Sequence, residues 1–253
     1  MQIKLSEYND CLLSGRNLEA QLDEAMLLAS NLGFDALVYD YSPVPFDHEG
    51  LLITPEVLLR KTPTEWQELW CSEGYYQIDP VQQVALNSIS PFLWSYQPEA
   101  ETVLKQVIGL RHAPVVSYLQ NAQMAHGVSV PIHLPKGGFA SLAGLRSGGT
   151  QSALKDMRHV LGEFSLIAYA LQEAAYPVLS KKEGNHSSAP LTKRERECMK
   201  WAAEGFTALE IAARLHRSVA TVTLHLNSAM HKLGARNRVQ AVARAVHYRL
   251  LDS

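Results

Sequence analysis

The chain has 253 residues, 47% hydrophobic and 19% charged, enough to bury a core and too apolar for a wholly disordered polypeptide. Its formal charge of −2 hides an asymmetry: residues 1–189 carry 12 Lys and Arg against 20 Asp and Glu, and residues 190–253 carry 11 against 5, so a small basic segment of the kind that binds polyanions follows an acidic body. No apolar run approaches the ~18–20 residues that span a bilayer, MQIKLSEYND lacks a secretory apolar stretch, and three scattered cysteines without a CxxC pair argue against a disulfide scaffold or structural zinc and fit a reducing cytoplasm.

Asn17–Asn31 reads as an amphipathic helix, with Leu18, Leu22, Ala25, Met26 and Ala29 on one face and Gly33 as its stop. Strand patterns follow at Ala36–Tyr41 and Leu51–Thr54, then helical patterns at Glu65–Cys71, Pro80–Asn87 and Val103–Leu119. Gly127–His133 and Phe139–Leu145 read as a hairpin turning at Gly137-Gly138, and Ser152–Ala175 as a long helix. Strands in pairs with helices on both sides predict an α-β-α sandwich over residues 1–175. If Ala36, Val38 and Asp40 share one strand face, Asp40 points inward and favours a polar ligand; the equal alternative is a solvated strand end. His112, His126 and His133 lack metal-ligand spacing, so no metal or other cofactor is expected.

Residues 176–189, within YPVLSKKEGNHSSAP, have linker chemistry: proline, glycine, serines and lysines without apolar periodicity. Residues 190–253 then show four helix starts. Thr192 with Glu195 and Thr207 with Glu210 have capping-box spacing, Ser218 caps a third helix, and Asn237 with Gln240 opens a fourth. Gly205 and Gly234 are stops. The pattern predicts an all-α, four-helix helix-turn-helix domain, hence an α+β chain. The third helix is the candidate reader of base edges, with Ala220, Thr221, Thr223, Leu224, His225, Asn227, Ser228 and His231 available outward. Arg217, Lys232, Arg236 and Arg238 gather at helix ends, where they can hold phosphates. The competing reading is a protein-binding bundle with solvated basic residues.

The stretch from LTKRERECMKW to RNRVQAVARA resembles the DNA-binding domain of the LuxR family over nearly all of residues 191–246: LTxRE, a Trp and a Gly, EIAxxL, TVxxHLxxAxxKL, then RxQAV. Met199 stands where leucine is usual. Thr223 stands where many members have lysine, which removes one possible DNA contact. The resemblance implies binding to double-stranded DNA.

A second resemblance lies in TPTEWQELWCSEGYYQIDPVQQVALNSISPFLW. It is similar to the autoinducer-binding domain of quorum-sensing LuxR-type receptors at Trp66, Asp79, Pro80, Trp94 and, further on, Gly127. The resemblance implies that Trp66 donates to a lactone carbonyl, Asp79 accepts a ligand amide N–H, and Trp94 packs on a homoserine lactone. Read from the residues alone, Trp66 is more simply core, and Asp79 more simply the N-cap of the helix begun by Pro80. Both roles are expected for Asp79, with its second oxygen free for a ligand. Thr62 and Trp70 replace family tyrosines, and Ala143 replaces a Ser or Thr found in some members. Tryptophan at the Trp70 position is similar to receptors that answer plant-derived compounds. Residues 106–123 run longer than in typical members.

The resemblances imply a cytoplasmic, homodimeric, ligand-responsive transcription regulator without a membrane segment. Val38, Asp40, Thr62, Trp66, Trp70, Asp79, Trp94 and Ala143 would form its pocket, and the long helix and the last helix its dimer surfaces. The signal would be an acyl-homoserine lactone or a related amphiphile. The first rival is a ligand-independent regulator or antagonist whose pocket is self-filled by Trp70, Tyr39 and Tyr41. The second is a hydrolase, disfavoured because the sequence has no G-x-S-x-G elbow, zinc set or nucleophile–base pair.

Overall fold

The computed structural model describes residues 17–148, 151–182 and 191–251. They form two compact units, Met1–Pro45 with Leu52–Ser180, and Phe46–Leu51 with Lys181–Ser253.

In the first unit, α1 (Leu18–Asn31) starts where the Asn17 side chain accepts the Ala20 N–H at 2.9 Å. It ends at Gly33, φ +87°, where the Gly33 N–H reaches the Ser30 carbonyl and the Phe34 N–H the Ala29 carbonyl. That left-handed cap is the reason for a glycine there. Strands β1 (Ala36–Ser42), β2 (Glu56–Arg60), β3 (Phe92–Ser95), β4 (His126–His133) and β5 (Phe139–Arg146) make one antiparallel sheet in the order β2-β1-β5-β4-β3. Arg60 of β2 bridges to Glu19 and Asp23 of α1, each at 2.5 Å.

Alternation along the strands separates two cores. Leu37, Tyr39, Tyr41, Val130 and Leu142 face α1 and the long α6 (Gln151–Lys182), meeting Leu22, Phe164, Ile167 and Leu171. Ala36, Val38, Trp94, Ala143 and Leu145 face the other way. There they meet α2 (Trp66–Cys71), α3 (Tyr75–Ile78), α4 (Pro80–Asn87) and α5 (Ala113–Asn121) through Trp66, Trp70, Tyr76, Val81 and Leu119. This is the α-β-α sandwich expected from the sequence.

Four boundaries differ from the sequence reading. The strand expected at Leu51–Thr54 lies instead at Glu56–Arg60; Pro55 separates the two, and Leu52 makes only an isolated bridge. The helix expected over Val103–Leu119 is broken into 3-10 turns at Val103–Gln106 and Leu110–His112 before α5, because Gly109 is fully extended and Pro114 suits only a helix start. β3 was not anticipated. Finally, α6 continues through Pro177 to Lys182, so the first seven residues read as linker are helical; residues 183–190 lie outside the described residues.

Gly127 shows how tightly the second core is fitted. It pairs with Trp94 across β4 and β3. A Cβ built on it would stand 2.4 Å from Trp94 Cζ2 and 2.6 Å from the Gly144 carbonyl oxygen. Gly127→Ala is therefore expected to cost about 2–3 kcal/mol, the upper part of the overpacking range, since neither the indole nor the backbone can yield cheaply. Denaturant unfolding followed by tryptophan fluorescence checks this; an unchanged midpoint would contradict it.

The second unit holds α7 (Lys193–Ala203), α8 (Ala208–Leu215), α9 (Val219–Lys232) and α10 (Arg238–His247). Both capping boxes form, and Ser218 and Asn237 cap α9 and α10. Cys198, Met199, Ile211, Val222, Leu226, Ala229, Ala241 and Ala245 are the core. His216, φ 51°, turns the chain between α8 and α9.

Candidate functional site

The face of the sheet opposite α1 and α6 borders a chamber lined by Val38, Trp66, Trp70, Asp79, Val81, Gln82, Trp94, Tyr96, Leu119, Ala143 and Leu145. Its free volume is about 20 Å³, room for about one water molecule. Aromatic rings fill much of the space. Trp66 and Trp70 stack at 4.2 Å between centroids with 17° between their planes. Tyr75 and Tyr118 meet Trp70 edge-on at 5.4 and 5.7 Å.

Asp79 lies at the N-terminus of α4. Its Oδ1 accepts the Val81 N–H at 2.8 Å, the capping bond expected of an Asp-Pro helix start, and the Tyr96 hydroxyl at 2.7 Å. Its Oδ2 accepts the Trp70 indole N–H at 3.0 Å. The expectation of a free second oxygen is thus corrected: Trp70 occupies it from within the chain. Burial raises the Asp79 carboxyl above the ordinary carboxylate range, and the bonds from Tyr96, Val81 and Trp70 oppose that rise.

The other indoles differ. Trp94 donates to Ser129 Oγ at 3.0 Å. Trp66 is buried, and its N–H has no acceptor among the described residues. A buried unpaired donor costs about 1–3 kcal/mol.

Asp40 is also buried, on the same strand face as Ala36 and Val38, so the inward alternative holds. Its Oδ2 accepts Ser141 Oγ at 2.5 Å and Gln82 Nε2 at 3.2 Å, and its Oδ1 accepts the Tyr76 hydroxyl at 3.3 Å. Burial pushes its carboxyl up to about 6 against these three bonds. Asp40 does not line the chamber itself; Gln82 stands there in its place. Thr62 is half-buried and is not among the lining residues. Val38, Trp66, Trp70, Asp79, Trp94 and Ala143 do come together.

Sequence reasoning missed Gln82, Tyr96, Val81, Leu119 and Leu145. Two signals were available. Phe92, Trp94 and Tyr96 alternate as one strand face, and Val81 and Gln82 occupy the first turn of the helix that Asp79 caps.

In the second unit, α9 exposes Ala220, Thr223, Leu224, Asn227 and His231, with Arg217 and Arg236 exposed beyond its ends. Thr221 and His225 are half-buried, and Thr221 Oγ1 lies 2.8 Å from Ser218 Oγ. Ser228, expected outward, donates to Glu195 Oε1 at 2.7 Å. Lys232 pairs with Glu195 at 2.8 Å, and Arg238 donates to the Phe206 carbonyl. These two basic residues join the elements of the unit to one another.

Residues 17–175, well over half the chain, match the autoinducer binding domain family, and residues 189–245 match the bacterial regulatory proteins of the luxR family. The chain belongs to the LuxR family. This LuxR-family chain is 30% identical over 227 residues to the transcriptional activator protein BjaR1 of Bradyrhizobium diazoefficiens, covering 87% of this chain and 84% of that protein. It is 27% identical over 212 residues to the transcriptional activator protein LuxR of Aliivibrio fischeri, covering 83% and 78%. The crystal structure of Escherichia coli SdiA has the same fold, with TM-score 0.64, 20% identity and coverage of 98% of this chain and 99% of that one. The family is that of quorum-sensing transcriptional regulators with an autoinducer-binding domain and a helix-turn-helix domain. No helix among the described residues is long and apolar enough to cross a membrane.

Proposed function

We propose that this regulator binds a small amphiphilic signal with a carbonyl group, an acyl-homoserine lactone or a related amide, in the chamber beside Trp66 and Asp79. The observation that carries this reading is the buried, unpartnered Trp66 N–H. It is a donor in a wall that also holds the apolar Val38, Ala143 and Leu145, and a ligand carbonyl would satisfy it. Trp94 and Leu145 supply apolar surface to the same guest. The exposed face of α9 would read the major groove, Arg217 and Arg236 would hold phosphates, and two copies would pair on a near-palindromic site.

A second reading has its own support. Trp70 already donates to Asp79 and stacks on Trp66, whereas Tyr39 and Tyr41 face the other core; a chamber filled by Trp70 would belong to a regulator that acts without a ligand.

Thermal melting of the full-length protein with N-octanoyl-homoserine lactone separates the two. Binding at one hundred times Kd would stabilise by about 2.7 kcal/mol and alter the retention of a DNA fragment carrying the cognate site. A melting temperature unmoved by acyl-homoserine lactones and acyl amides of every chain length would favour the self-filled reading.

A further inference from the structure

Gln82 carries the second unpaired group of the chamber. The residue is 4% exposed and lines the cavity, yet its Oε1 has no hydrogen-bond partner among the described residues. Its Nε2 is committed to Asp40 Oδ2 at 3.2 Å. An ionised carboxylate only accepts, and Asp40 is also the acceptor for Ser141 and Tyr76. Turning the amide over would set Gln82 Oε1 against Asp40 Oδ2, two acceptors in a dry interior. The Asp40 side chain therefore fixes which end of the amide is left without a partner, and that end is an acceptor.

We propose that Gln82 is a specificity-determining residue of the chamber, selecting guests that carry a hydroxyl on the acyl chain over guests whose chain is plain hydrocarbon. This rests on the reading of the chamber as a ligand site and deepens it. Trp66 requires an acceptor and Gln82 a donor, so the two unpaired atoms together describe a guest with one of each. A guest with a plain alkyl chain could offer Oε1 only its amide N–H, whereas a chain hydroxyl supplies a donor of its own. A site with an unpaired polar group discriminates against the analogue lacking its partner more strongly than an apolar pocket discriminates by size.

The test uses the full-length protein at pH 8, where Asp40 is ionised, and a panel of probes: N-octanoyl-homoserine lactone and its derivatives hydroxylated at successive chain carbons. Affinity is read by calorimetry and by melting shift. At least one hydroxylated probe is expected to bind about tenfold more tightly than the plain one, the scale of a single neutral hydrogen bond. Gln82→Leu, close in shape, is expected to abolish that preference. Gln82→Met serves the same purpose should the leucine variant fail to fold. If the plain probe binds as tightly as every hydroxylated one, or the preference survives in the variants, the assignment of Gln82 is overturned while the chamber remains a ligand site. If no member of the panel binds, the assignment is overturned together with the reading of the chamber as a site for octanoyl lactones.

Discussion

Trp70→Phe is expected to lower the melting temperature of the ligand-free protein and enlarge the upward shift caused by N-octanoyl-homoserine lactone. The Trp70 indole satisfies Asp79 Oδ2 at 3.0 Å and stacks on Trp66 at 4.2 Å. Phenylalanine keeps an aromatic ring but has no N–H and less area. A hydrogen bond to a buried charged group is worth about 1.5–3 kcal/mol, and the lost volume adds a cavity cost. Together these predict a loss of about 2–4 kcal/mol, roughly 5–15 °C for a unit of this size. The same change frees an acceptor and widens the chamber, so a guest with an amide N–H gains the bond that Trp70 had made. Calorimetric melts of both proteins, with and without the lactone, give all four values. A variant that is destabilised but shows no larger ligand shift would reduce Trp70 to core packing and remove Asp79 from the guest's partners.

Glu195→Ala is the second large effect, and it falls on the helix-turn-helix unit. Glu195 is 4% exposed. One carboxylate oxygen accepts Ser228 Oγ at 2.7 Å; the other accepts Lys232 Nζ at 2.8 Å and the Thr192 N–H at 2.8 Å. The residue thus completes the cap of α7 and ties it to the end of α9. Burial pushes its carboxyl up, but the bonds from Lys232, Ser228 and Thr192 together outweigh that and hold it at about 2. Its ordinary value is 4.5. A carboxyl lowered on folding contributes stability that is fully present above about pH 4.5 and lost as pH falls towards 2. The shift corresponds to about 3 kcal/mol. Truncation removes this contribution and the cap, so a loss of about 3–4 kcal/mol at pH 7 is expected. Hydrogen exchange along α7 and α9 in the full chain reads it directly. At pH 3 the gap between parent and variant should narrow, and a gap independent of pH would refute the electrostatic account.

The parts of the molecule legible in its sequence are those set by local chemistry. Thr192 with Glu195 and Thr207 with Glu210 announce helix starts because each box closes within four residues. The α1 face was legible for the same reason, one periodicity over fourteen residues. β2 was not, because its half-buried residues give weak alternation and the more apolar Leu51-Leu52-Ile53 draws attention away. The cap role of Asp79 was legible from Asp-Pro. Its capture by Trp70 was not, since that bond depends on how α2 and α4 pack, which no spacing encodes. The Asp40–Gln82 pair, 42 positions apart, lay equally out of reach.

The sheet ends in two short margins, five residues in β2 and four in β3. Such margins offer unpaired backbone groups to any passing extended chain. On one side Arg60, bound to Glu19 and Asp23, places charge at the rim; on the other, the turn at Val103–Gln106 buries Leu104 beside Trp94 and its neighbours in the second core. Charge and brevity are recognised means of discouraging intermolecular strand addition. The rims of this sheet thereby have protection against fibrillar self-association.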